Sequence, residues 1–386
     1  MTSHPLYIKL ARRFSRSSDE TASNNTSSSD LERAHRLPDG ATKTRLHTPS
    51  ILQLRFRRLD DPLVLIIGTL VVLCILLYVR LVYLHHGLHR IPGDQFDNLF
   101  GLQIFANSPS IWDDSYQSFI REVLPIPIHS HNDYHRRIPL FEALGSGCIS
   151  VEADVHLHNS DLLVGHKSSQ LHPSLNLRSM YLDPLERILR ARNTNTTIDD
   201  WQGIFRHASN QTVVLLIDHK TEGVDTSAML STQLQPLRDL GYLTHWNGTE
   251  RILRPLTIVA TGNAPFYNDD TYRDISFDAD LSHLTSEHDT ADYYLYNISN
   301  SYYASTRWSK ALTRDARTTS QSEIASQIES AKARGLLARY WDTPAQLPNM
   351  RDLIWRTLIE KNVGVLNMDD MGTVRDRAIG WGSLHT

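Results

Sequence analysis

Two hydrophobic patterns divide the chain. From Pro62 to Val79 the stretch PLVLIIGTLVVLCILLYV carries no charge and is almost entirely Leu, Val and Ile. As a helix rising about 1.5 Å per residue it spans about 27 Å, close to the thickness of a bilayer's hydrocarbon core. Arg80, next in line, can extend the span by snorkelling. A single transmembrane helix over 61–84 is therefore expected, with a buried core helix as the competing reading. Beyond Pro125 short apolar runs alternate with amphipathic segments. The runs are PIPIHS, CISVEADVHL, TVVLLIDHK, LTIVATG, DISFDAD, YYLYNIS, GLLARYWD and VGVLNMDD. Between several of them lie segments of helical period such as DPLERILRARN and MRDLIWRTLIEKN. Strand runs alternating with helical ones predict parallel βαβ units, and eight of them fit an α/β fold, a (β/α)8 TIM barrel over 125–386.

Composition changes the picture at the N-terminus. Residues 17–50 are rich in Ser, Thr, Asn and charge and show no hydrophobic period, so 1–60 is expected to be a disordered basic tail, with 85–124 a linker. Residues 1–59 hold eleven Lys/Arg against five Asp/Glu in a chain of net charge −4, which leaves about −10 on the remainder. That balance argues against a nucleic-acid surface on the main domain. Arg55, Arg57 and Arg58 precede the apolar span, so the positive-inside rule puts the N-terminus in the cytosol and the barrel in the lumen or outside the cell. Sequons at Asn195, Asn210, Asn247 and Asn297 suit a lumenal glycoprotein. Asn297 is expected at the end of the sixth strand, beside the barrel mouth. An acid-free, Ser- and Arg-containing start, MTSHPLYIKLARRFSRSS, fits a mitochondrial inner-membrane protein equally well. Two cysteines, Cys74 and Cys148, imply no disulfide framework.

The polar residues of most runs gather at their C-terminal ends: His131, Glu152 and Asp154, Asp218 and Lys220, Asp342, Asp369 and Asp370. In a (β/α)8 barrel those ends form the mouth that carries the active site. Glu152 and Asp154 are two residues apart on a strand and share a face, so their charges repel unless a cation lies between them. A hard divalent ion with oxygen ligands, Mg²⁺ in preference to Ca²⁺, answers that need, with Asp218 as a third ligand. Lys220 shares a face with Asp218 and is placed to hold an anionic group, although a plain salt-bridge cluster of Lys220 with the acids would use the same residues. His131 and His166 each end a strand-like run and are the histidines suited to act as base and acid on one phosphate. The other nearby histidines, including His129, His156 and His219, are read as structural or surface residues.

Together HND, SVEADVHL, LLVGH and LLIDHK resemble the phosphatidylinositol-phospholipase-C-like phosphodiesterases, which include the glycerophosphodiester phosphodiesterases and the spider-venom sphingomyelinases D. The HNDY and VEADV forms are similar to the fungal altered inheritance of mitochondria protein 6 family. The resemblance runs from about Ile126 to Asp370. It implies His131 and His166 as the catalytic pair, Glu152, Asp154 and Asp218 at the metal, and Lys220 at the substrate. Glycerophosphodiesterases usually show His-Arg-Gly where HND stands, so an arginine able to grip phosphate is missing, and Asn132 is a candidate to replace part of that contact or simply to cap a turn. They also usually follow the second histidine with Asp, where Lys167 stands. The expected activity is metal-dependent cleavage of a phosphoric diester, a glycerophosphodiester or (lyso)phospholipid headgroup, by His/His acid–base catalysis. Alternatives are a catalytically silent barrel that binds phospholipid headgroups, and a structural membrane protein affecting organelle inheritance.

Overall fold

In chain order the strands are β1 (Ile126–Ser130), β2 (Cys148–His158), β3 (Asp161–Val164), β4 (Val213–His219), β5 (His245–Trp246), β6 (Arg251–Ile252), β7 (Leu256–Gly262), β8 (Ile275–Asp280), β9 (Ser301–Arg307), β10 (Leu337–Trp341) and β11 (Val365–Met368). The structure, a computed structural model, describes residues 62–88, 123–266, 272–284, 296–311, 320–344, 348–371 and 374. Parallel pairing runs β1, β2, β4, β7, β8, β9, β10, β11 and back to β1, which closes an eight-stranded barrel. The expected (β/α)8 architecture is the one the chain adopts. The remaining strands are additions: β3 folds back antiparallel on β2, and β5 pairs with β6 as a two-stranded ribbon.

Alternation along each strand decides what faces where. On β2 the odd residues Val151, Ala153 and Val155 join Leu215 and Ile217 of β4 in the large core between barrel and helices. That core is completed by Leu185 and Leu189 of the helix Asp183–Arg192, Ile324 and Ile328 of Ser320–Ala333, and Trp355 and Leu358 of Pro348–Glu360. The opposite face fills the barrel. There Val214, Leu216, Val259, Tyr303 and Val365 form a small apolar plug. Above the plug, toward the C-terminal strand ends, the inward positions turn polar, with His129, Glu152, Asp154 and Arg339 all buried. Layering of this kind puts every inward charge within reach of the mouth.

Two connections carry polar side chains to that mouth. The β2–β3 hairpin turns through Asn159 and Ser160, both at positive φ (49° and 64°), as the tightest hairpin turns require. After β1 the chain passes through Asn132 at φ 49° into a short 3-10 turn, Asp133–His135.

One strand differs from expectation. The sixth barrel strand is SYYASTR, not YYLYNIS, whose described residues Tyr296–Ser299 form the turn ahead of it. Tyr-rich segments stand on both sides of that turn, so β-propensity does not separate them. The Asn297 carboxamide oxygen accepts hydrogen bonds from Ser299 N (2.8 Å) and Oγ (2.7 Å) and fixes a turn there instead. Asn297 therefore precedes β9, at the strand's N-terminal end, whereas the mouth lies at the C-terminal ends. The other sequon asparagines, Asn195, Asn210 and Asn247, are exposed.

The apolar segment forms one helix, Pro62–Leu88, four residues longer at its C-terminus than expected. It is long and apolar enough over Pro62–Val82 to cross a membrane, and none of that stretch is buried in protein. Its Thr69 hydroxyl donates to Leu65 O one turn earlier at 2.8 Å. The expected tail over 1–60 and nearly all of the 85–124 linker lie outside the described residues.

Closure of the ring between β10 and β11 depends on Gly364, where an added Cβ would lie 2.7 Å from Leu337 Cα and 2.9 Å from Ala338 N. Both obstacles are backbone and cannot swing aside. Gly364→Ala is expected to cost about 1–3 kcal/mol, read as a lower denaturant midpoint at unchanged slope.

Candidate active site

A cavity of about 610 Å³ opens at the C-terminal ends of the barrel strands. All seven residues to which the sequence points line it: His131, Asn132, Glu152, Asp154, His166, Asp218 and Lys220. Register explains the convergence. Asp154 of β2 is paired directly with Asp218 of β4, and Glu152 lies one inward position deeper on β2. Carboxylate oxygens of Glu152, Asp154 and Asp218 all lie within 4.8 Å of one another.

Each acid is compensated differently. Glu152 Oε2 lies 3.2 Å from His129 Nε2, accepts from Asn132 N at 3.2 Å, and is 3.7 Å from His131 Nε2. Burial by itself raises its pKa, but His131, His129 and the nearby Arg339 outweigh burial and hold it well below the usual carboxylate range. His129 is itself pushed down to about 4 by burial and by Arg339, so it is neutral. Its Nε2 then carries the proton shared with Glu152, and Nδ1 accepts from Ser150 Oγ at 2.7 Å. His129 is thus a buried, neutral partner of Glu152.

Asp154 Oδ2 collects three donors: Tyr134 Oη (2.7 Å), His166 Nδ1 (2.9 Å) and Lys220 Nζ (3.0 Å). Its Oδ1 is buried and has no hydrogen-bond partner among the described residues. Asp218 Oδ2 accepts from Lys220 Nζ at 2.6 Å. Burial raises the pKa of Asp218 despite Lys220; for Lys220, burial lowers it but Asp218 and Asp154 outweigh that and raise it. The salt-bridge cluster of Lys220 with the acids is present, then, but it engages two of the three acids and leaves Oδ1 of Asp154 orphaned. An orphaned buried carboxylate oxygen beside two other carboxylates is the donor set of a hard cation, and the three residues fit one.

The two histidines are held by different carboxylates. His131 Nδ1 lies 2.7 Å from Asp369 Oδ1 beyond β11, so Nδ1 carries the proton and Nε2 remains toward the cavity side. Burial lowers the His131 pKa, but Glu152 and Asp369 more than offset it and the net shift is upward. His166 follows β3, where His156 Nε2 donates to Gly165 O (2.9 Å) and Gly165 N donates to Asp154 O (3.1 Å). The hairpin end is therefore tied back to β2, and His166 is tied to Asp154.

Four contributors lie outside the set expected from sequence. Asp133, in HND, is fully buried and accepts from Leu140 N (2.5 Å), Ser130 Oγ (2.7 Å) and Tyr181 Oη (3.0 Å), fixing the loop that carries Asn132. Tyr134 Oη also lies 2.6 Å from Asn132 Oδ1, so the Asn132 side chain joins the site and does not cap the turn. Arg339 of β10 is buried on the cavity floor, with Nε donating to Ser305 Oγ (2.9 Å) and Nη1 to Asn367 Oδ1 (2.8 Å). Arg307 of β9 lines the far wall with its register partner Trp341 and with Asp342. Arg307 and Arg339 occupy inward positions of their strands, and that alternation within SYYASTR and GLLARYWD is the available signal.

A family model described as the AIM6-like phosphodiesterase domain matches residues 117–278. A homologue of altered inheritance of mitochondria protein 6 from Arthroderma benhamiae is 34% identical over 275 residues, 66% of this chain and 84% of that protein. The protein of that name from Eremothecium gossypii is 34% identical over 266 residues (64% of this chain, 68% of that one), and the one from Saccharomyces cerevisiae 30% over 282 residues (67% and 72%). No solved structure gives a match.

Asp133 supplies a test of the loop that carries the site. Burial outweighs its hydrogen bonds and raises its pKa to about 6. The folded chain then holds this proton more tightly than the unfolded one, so stability from this group is full below about pH 4 and declines as pH rises through 6, by about 3 kcal/mol. Wild type minus Asp133→Asn stability, from urea unfolding in chelator between pH 3.5 and 7, should fall by that amount. A flat difference would contradict the assignment.

Proposed function

The chain belongs to the altered inheritance of mitochondria protein 6 family, and on that basis we propose that its barrel is a membrane-anchored, divalent-metal-dependent phosphoric diester hydrolase or lyase. Its substrate is a glycerophosphodiester or (lyso)phospholipid headgroup. The observation that carries this reading is the orphaned Asp154 Oδ1 among three carboxylates, flanked by two carboxylate-held imidazoles on one cavity.

Glu152, Asp154 and Asp218 would hold the ion, which would draw charge from the phosphoryl oxygens; an all-oxygen set suits a hard divalent ion, Mg²⁺ or Ca²⁺. Lys220 neutralises a non-bridging oxygen, which requires its ammonium to exchange part of its contact with Asp218 for substrate. Asn132, kept beside His131 by Tyr134, offers its amide to the same phosphate. One of His131 and His166 takes the proton of the attacking hydroxyl through Nε2, and the other gives a proton to the departing alkoxide as the P–O bond breaks. Attack by a hydroxyl of the substrate itself gives a cyclic phosphate, and attack by water gives a monoester. Asp369 holds the His131 ring in one tautomer throughout, the part an orienting carboxylate plays in other acid–base pairs. The helix Pro62–Leu88 anchors the chain, with the N-terminus in the cytosol and the glycosylated barrel across the membrane; the inner mitochondrial membrane is the competing address.

Lys220 bound to two of the three acids favours one second reading, a barrel that binds headgroups without turnover. The two separate cleanly. With Mg²⁺, wild type should cleave glycerophosphodiesters or lysophospholipids and lose activity in chelator. His131→Ala should lower kcat by about 10²–10⁴ while keeping the Mg²⁺-dependent rise in melting temperature, and Glu152→Ala should lose both. Headgroup binding unchanged by His131→Ala, with no turnover in wild type, would replace the enzyme with the binder.

A further inference from the structure

The wall of the cavity opposite the carboxylates contributes nothing to the metal or to the acid–base pair. β9 lies diametrically across the ring from β2, four strands away in either direction. From its last position Arg307 enters the cavity, outside the segment matched by the family model. Its side chain is about one-third exposed. Two consecutive residues at the end of β10 lie against it: the guanidinium carbon sits 5.0 Å from the Trp341 ring centre, and Nε is 2.9 Å from Asp342 Oδ2, an ion pair not aligned as a hydrogen bond. Asp342 itself is held at φ 56°, a conformation that costs energy outside glycine. Among the described residues the two terminal nitrogens of Arg307 meet no partner. Stacking on one face and the ion pair at Nε restrict the guanidinium, and its open end presents two parallel N–H donors, the fork that matches a carboxylate or phosphate.

We propose that Arg307 is a specificity residue that binds a second anionic group, a carboxylate or phosphate, on the alcohol moiety of the substrate. This rests on the phosphodiesterase reading of the same cavity, because it assumes the diester phosphate lies on the carboxylate side. The floor residue Arg339 is less suited, since it is buried and each of its three nitrogens already meets Ser305, Asn367 or Asp278. Asp342 and Trp341 act through Arg307 by holding it in place.

Glycerophosphoserine and glycerophosphoethanolamine differ by one carboxylate and isolate the effect. Wild type with Mg²⁺ should prefer the serine compound by about tenfold or more in kcat/KM, the gain of one charge-assisted hydrogen-bonded pair. Arg307→Gln should bring that ratio near one through a much larger loss on the serine compound than on the ethanolamine compound, and Arg307→Lys should restore part of the preference. Equal losses on both compounds, or no preference in wild type, would overturn the proposal. A binding arm keeps it separable from the enzyme reading: calorimetry with phosphoserine and phosphoethanolamine should show the same Arg307-dependent preference even in a chain that turns nothing over. Equal binding of the two, or none, would overturn it as well.

Discussion

Two negative charges projecting from one strand into a protein interior set the terms for everything at this barrel's mouth. Glu152 and Asp154 lie on the inward face of β2, both nearly inaccessible, where an uncompensated carboxylate is costly. The fold answers each charge separately. Around Glu152 it places a neutral histidine, a backbone N–H in a left-handed turn, and the charge of Arg339. Around Asp154 it places a phenol, an imidazole and an ammonium on a single oxygen and leaves the other oxygen bare. That asymmetry leaves an acidic cluster that could hold a cation.

The scaffold around the acids follows from the same demand. Asp133 holds the β1 loop so that Asn132 N reaches Glu152, and the β3 hairpin returns to β2 so that His166 reaches Asp154. Asp369, beyond the strand on the other side of β1, takes the far nitrogen of His131. Each histidine is thus oriented by a different acid, His166 by Asp154 on β2 and His131 by Asp369 just past β11. Lys220 is the adaptable member: its bonds to Asp154 and Asp218 balance charge that a divalent ion would balance more fully.

Much of this is readable along the chain. Seven of the eight barrel strands lie where alternation and β-branched runs put them, and all seven candidate residues line one cavity, because strand ends in a closed parallel barrel have only one place to meet. The sixth strand is the exception because two tyrosine-rich segments flank a turn made by an Asn side chain, and local propensity ranks the segments equally. Asp133 and Tyr134 give no signal of their own, since their partners Leu140, Tyr181 and Asp154 are 7 to 48 residues away in other elements.

Alternating apolar and polar residues, and acids spaced two apart, were enough to determine the barrel, the face each charge takes and the residues of the acidic cluster, since period and parity are properties of the local backbone. What only the folded chain decided is pairing: which oxygen of Asp154 stays bare, which acid orients which imidazole, and that Arg307 stands across the ring from the carboxylates. Those outcomes depend on strand register and ring closure, where distances of about 3 Å separate a hydrogen bond from no interaction, and no periodicity in one dimension encodes them.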